Sequence, residues 1–225
     1  MANEIALATD KMPAHVKQSA GRGNENVSSD SMTIPRIKLL QKMSPEVDKH
    51  HANFIEDADP GDFLNSLTNE NYGSDLYTIS VTFKDDHVVW KKREAGGGFL
   101  GTYRSAAEAE AAIKEQDKPD EYDIVQTHSH VLLLKDPKTG VLSMPVIMDF
   151  ASSKLRVSRS WNSQINIKGG DRFSGLWKLS AVATQNRSGQ QFMNLDVSFE
   201  GWAQDADYKL AEEFYEKMKD VTIEA

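Results

Sequence analysis

The sequence predicts an α+β fold that is mainly antiparallel β, and three observations carry that prediction. Apolar and polar residues alternate in several stretches, such as "LYTISVTF" and "QFMNLDVSFEGW", the period of a half-buried strand. Turn-forming clusters such as "DPKTG" and "NRSG" sit between consecutive stretches of this kind. Helical spacing is confined to a few segments, with no repeated strand–helix–strand order, which argues against a doubly wound parallel sheet.

Taken in order, residues 1–30 are small, polar and aperiodic ("QSAGRGNENVSSDS") and are expected to form a flexible arm ahead of one domain spanning 31–225. "MTIPRIKLLQKMSPEV", broken by Pro35 and Pro45, reads as a short extended piece, and "DADPGDFLNSLTNENYG" carries turn signals. Tyr77, Ile79, Val81 and Phe83 alternate with Thr78, Ser80 and Thr82, which predicts a strand. "HVVWKK" is expected to pair with it across a turn at Lys84-Asp85-Asp86. "SAAEAEAAIKEQ" is a helix, with Ser105 and Glu108 spaced as a capping box.

"YDIVQTHSHVLLLK" and "VLSMPVIMDF" read as partners across "DPKTG". In "SSKLRVSRSWNSQI", Val157, Trp161 and Ile165 make one helical stripe with Arg156, Arg159 and Ser163 roughly opposite. A strand is the rival reading, because Leu155, Val157 and Trp161 also share parity. "LWKLSAVATQ" and "QFMNLDVSFEGW" form a hairpin, and an amphipathic helix over 205–220 presents Leu210, Phe214 and Met218 on one face. Three strands, a helix and two more strands follow the order of an OB-like Greek-key barrel. The surplus places an inserted hairpin and helix near 93–135 and adds a C-terminal helix.

Composition narrows the function. A chain of 225 residues with 39% hydrophobic residues builds a substantial core, and no apolar run is long enough to span a bilayer. No signal pattern opens the chain, and zero cysteines exclude disulfides and thiolate chemistry, so a cytoplasmic protein is expected. The net charge is −8, yet between Ser152 and Gln190 seven bases stand against one acid, Asp171. Seven minus one leaves +6 there and −14 elsewhere, a segregation that raises local potential for a polyanion.

Gly96, Gly98 and Gly101 match the spacing G-x-G-x-x-G, but no buried strand precedes them and no βαβ series follows, so a hairpin tip is expected. His128 and His130 share one strand face, while His50-His51 and His87 stand apart. Without a completing ligand they give no metal site. No protease, hydrolase or nuclease motif occurs, so an enzyme is not expected, nor a cofactor.

The remaining signal is cations interleaved with rings. Trp90 precedes Lys91, Lys92 and Arg93; Phe99, Tyr103 and Arg104 follow; Lys154, Arg156, Arg159, Lys168 and Arg172 come later. Single-stranded nucleic acid asks for this pairing, with cations along the phosphates and rings against unpaired bases. Trp161 and Trp177 lie on apolar stripes and are expected in the core, while Trp90 fits either role.

In element order, and in the basic-aromatic residues Trp90–Arg93 and Lys154–Arg159, residues 76–220 resemble bacteriophage single-stranded DNA-binding proteins of the OB-fold. "IPRIKLLQKMSPE" and "PGDFLNS" resemble openings of phage proteins. The resemblance implies sequence-independent binding of single-stranded DNA in phage replication, recombination or repair. It also implies a place in the host cytoplasm, contacts with replication or recombination proteins, and possible self-association. That family often ends in a long acidic tail; here "EEFYEKMKDVTIEA" mixes acids with lysines. Two alternatives stay open: a phage interaction module that inhibits a host nuclease or defence enzyme, and an enzyme acting on nucleic acid.

Overall fold

The structure, a computed structural model, describes Arg22, Gly23, Glu25 and residues 33–219. The chain divides into two units, Met1–Thr33 and Ile34–Ala225. The expected N-terminal arm over 1–30 and the end of the C-terminal segment fall almost wholly outside the described residues.

The second unit is α+β and mainly antiparallel. Its strands are β1 (Ile37–Leu39), β2 (Phe63–Asn65), β3 (Asp75–Lys91), β4 (Gly98–Tyr103), β5 (Tyr122–Lys135), β6 (Val146–Ala151), β7 (Gly175–Gln185) and β8 (Gln191–Trp202). Its α-helices are α1 (Ala106–Lys114), α2 (Leu155–Lys168) and α3 (Asp205–Met218). β1 and β2 pair with each other; the other strands form one sheet in the order β6-β5-β3-β7-β8, with β4 also on β3. Among the described residues no pairing joins β6 to β8, so the sheet is open and not a closed barrel.

The spine is β3. Its first five residues pair with β7, its last five with β4, and β5 runs along nearly all of its other edge. No turn interrupts it at Lys84-Asp85-Asp86. These three stay extended opposite Ser129, His128 and Thr127, because neither glycine nor asparagine is present to supply a tight reversal and the polar partners on β5 suit polar side chains. β5 itself lies inside the stretch expected as an insertion near 93–135, yet it is a central strand. Only β4 and α1 are appended there.

A register shift between Ser80 and Thr82 inserts Val81 as a bulge, and this changes which side chains share a face. Ile79 and Val81 point to one side, whereas Phe83 turns to the other and meets His128 and His130 edge-on at about 5 Å. The strict alternation expected from Tyr77 to Phe83 is therefore broken at its last member.

Each face of the sheet has its own core. On one, Leu132, Leu134, Met148, Phe150, Trp177 and Leu179 pack with Trp161 of α2 and with Ile37, Leu39 and Phe63. On the other, Ile79, Val81, Val131, Leu133 and Ile147 pack with Phe173 and with Ala211 and Met218 of α3. Trp161 is fully buried and Trp177 nearly so, as the apolar stripes predict. The "DPKTG" reversal is held by Asp136, whose carboxylate accepts from the backbone N–H of Lys138 at 2.7 Å. Helix α1 begins at Ser105, whose hydroxyl accepts from the Glu108 N–H at 3.2 Å. The reciprocal bond of the expected capping box is displaced by one residue, since Glu108 accepts from the Arg104 N–H.

Candidate nucleic-acid interface

Helix α3 covers only part of its face of the sheet. Beyond it, four strands lie side by side and the register sets their side chains in rows, with Val88, Thr127 and Ser129 buried at the centre. Phe99, Trp90 and Asp123 make the first row; Thr102, Val88 and Val125 the second; Asp86, Thr127 and Ala151 the third; Lys84, Ser129 and Asp149 the fourth. Side chains two residues apart share a face and stand about 6.6 Å apart, so the rows form a continuous surface. A trough of about 280 Å³ crosses it, with Val88, Val125 and Ala151 among its apolar residues and Trp90, Thr102, Thr127, Ser129, Asp86, Asp149 and Arg36 among the others.

At one end stand the two exposed rings. Trp90 is 42% exposed and Phe99 46%, with centroids 5.4 Å apart and planes tilted by 59°. Both offer a ring edge or face to a ligand. At the other end Asp149 is held by the guanidinium of Arg36 and by the Ser129 hydroxyl, which donates at 2.6 Å. Lys154 follows β6 and feels Asp149, while burial pushes its ammonium below the usual lysine range. The Asp86 carboxylate makes no hydrogen bond or ion pair among the described residues; partial burial raises its pKa above the usual range, opposed by Lys84 and Arg104.

The residues expected to hold nucleic acid divide between two surfaces. Trp90 lines the trough, Phe99 stands beside it and Arg104 acts on Asp86, whereas Lys154 ends the turn that leads into α2. Arg93 is exposed in the turn after β3, and its guanidinium makes no hydrogen bond or ion pair among the described residues. Lys91 pairs with Glu121 at 3.3 Å, and Lys92 donates to the Asp120 carbonyl at 2.7 Å. Tyr103 stands opposite His87 on the far face, its ring over Gly101, where a Cβ would lie 2.8 Å from the hydroxyl oxygen.

Arg156 and Arg159 are exposed on α2, on that same far side, and Arg159 donates to Gln126 at 3.0 Å. Lys168 lies over the Phe199 ring at 3.8 Å. Arg172 turns inward: its Nε donates to Ser80 at 2.9 Å and one terminal nitrogen to Asn162 at 2.6 Å, with the guanidinium over Phe83. Burial brings its pKa down to about 10.

Sequence reasoning missed Arg36, Lys84, Asp86, Ser129 and Asp149. All but Arg36 and Ser129 follow from parity once β3 and β6 are read as uninterrupted strands. Arg36 arrives from another part of the chain, through the backbone bond from Ile147 N–H to the Pro35 carbonyl, and no local signal marks it.

Sequence reasoning also left the histidines without a role. His128 and His130 do share a face, and between them lies the fully buried hydroxyl of Ser158, 2.8 Å from His128 Nδ1 and 2.7 Å from His130 Nε2. The donors fix the order. Arg172 has only N–H to offer and lies 3.2 Å from His130 Nδ1, so that nitrogen accepts and His130 is neutral with its proton on Nε2. His130 then donates to Ser158, and Ser158 donates to His128 Nδ1. His128 keeps its proton on Nε2, 3.5 Å from Asp85.

Burial lowers the pKa of both imidazoles, that of His130 strongly, with Arg172 adding to the effect on His130. The residue types are those of a hydrolytic triad, but the serine is sealed from substrate beneath α2. His130 also stacks on Trp161 at 4.6 Å and 7°. The network fastens α2 to the sheet.

Among known proteins, a family model described as Pam3 phage gp34-like protein matches residues 3–224. No curated protein matches, and no solved structure matches.

Proposed function

Since the chain belongs to the Pam3 phage gp34-like protein family, it is a phage protein, and we propose that it binds single-stranded DNA in phage replication, recombination or repair. The observation that carries this reading is the exposed Trp90–Phe99 pair at the head of the trough, with Arg93 exposed in the adjoining turn and Arg104 close enough to act on Asp86. Rings held half out of a sheet supply stacking platforms, and flexible cations beside them follow phosphates without reading sequence. The reading needs no OB-like barrel; an open face bearing rings and cations meets the same chemical demand. The acidic balance of the rest of the chain keeps non-specific duplex binding weak.

The test is fluorescence anisotropy with a labelled single strand at two salt concentrations. Trp90→Ala is expected to weaken binding about tenfold, within the ~1–3 kcal/mol that one stacked base contributes. It should leave the unfolding midpoint nearly unchanged, because the ring is largely outside the core. No binding at micromolar protein, or binding indifferent to both salt and Trp90→Ala, removes the proposal. A single stoichiometric protein partner and no nucleic acid in a pull-down would point instead to an interaction module.

A further inference from the structure

Within the proposed strand-binding face, and resting on that reading, we infer that the trough holds one guanine base, seated over Val88 and Val125 with its Watson–Crick edge toward the Asp86 carboxylate.

Size limits the occupant first. At about 280 Å³ the trough falls just below the roughly 300–1,000 Å³ of pockets for drug-sized ligands, so it suits a single base. Trp90 and Asp86 lie on the same face four residues apart along β3, or about 13 Å between Cα atoms. Val88 between them leaves an apolar floor of one base's length once both side chains have reached inward.

Charge decides which part of a nucleotide enters. Arg36, Asp86 and Asp149 line the trough; Arg36 pairs with Asp149, so a phosphate that enters meets the remaining carboxylate of Asp86 and is repelled. A base is neutral and is not. The two carboxylates differ in availability, since that of Asp149 is engaged by Arg36 and Ser129 while that of Asp86 has no hydrogen-bond partner among the described residues. An ionised carboxylate only accepts. Guanine alone presents two adjacent donors, N1–H and the N2 amine, matching the two oxygens of Asp86. Adenine and cytosine offer a single amine beside an acceptor, and the lone N3–H of thymine lies between two carbonyls. Asp86 is also partly stripped of water, so it gains from a donor pair.

The experiment compares short thymidine oligomers with the same oligomers carrying one central guanine, inosine or cytosine, titrated by anisotropy against the full chain. The guanine oligomer should bind about tenfold tighter than all-thymine, the range of one good bidentate contact. Inosine, which lacks the N2 amine, should lose most of that gain. In Asp86→Asn the guanine-to-thymine ratio should fall to about one; the ratio is internal to each protein, so a reduced active fraction does not disturb it. Equal affinity of the wild-type chain for guanine and thymine oligomers overturns the guanine seat alone. Persistence of the preference in Asp86→Asn does the same, whereas failure to bind any oligomer removes the strand-binding reading with it.

Discussion

At Ser158 one hydroxyl serves two buried imidazoles, accepting from His130 and donating to His128. Ser158→Ala leaves a nitrogen on each ring without a partner, and at ~1–3 kcal/mol for each unmet buried group it should cost about 2–6 kcal/mol in urea denaturation. The same rings give stability a pH dependence of definite sign. Their folded pKa values lie below the ordinary 6.5, so below that pH the unfolded chain binds more protons than the folded one. Stability is therefore fully present above about pH 6.5 and falls on acidification through the interval below it. The urea midpoint should be lower at pH 5.5 than at pH 7.5. If the two midpoints agree, the rings are not held neutral.

Individual elements vary in how far they could be read from the sequence. α3 and the β7–β8 hairpin follow from their apolar periods alone, because each packs one stripe on one core. The period of α2 also admits a strand until Ile165 is seen to join Val157 and Trp161 at one core. β3 does not follow from its period. Its middle, Lys84-Asp85-Asp86, carries turn-like polarity, and only the pairing with Ser129, His128 and Thr127 shows why charged residues stay extended there. Reading a turn at that point severed Lys84 and Asp86 from Val88 and Trp90, residues of one parity, and with them most of the trough. The bulge at Val81 left no mark in the sequence either. Helix α1 opens on a local side-chain contact. Ser105→Ala removes the hydroxyl that caps it and should lower stability by about 1 kcal/mol, with amide exchange accelerating first in residues 106–114.

For the whole molecule, the basic residues singled out in the sequence fall into two populations on opposite sides of an open sheet. If about four cations on the trough side meet phosphates, the logarithmic salt slope should be near −3. Raising salt from about 50 to about 200 mM should then weaken binding about fifty-fold. A slope near twice that would mean that the α2 side joins in.

The length of β3 carries a further consequence, for the order of events during synthesis. Asp75 finds its neighbour Ser180 more than a hundred positions later, so the sheet stays unfinished until that distant segment has left the ribosome. At ~5–20 residues per second the nascent chain waits several seconds or more with the leading end of its longest strand unzipped along one side. In an infected cell that interval, more than the finished architecture, is when a chaperone would find something to hold.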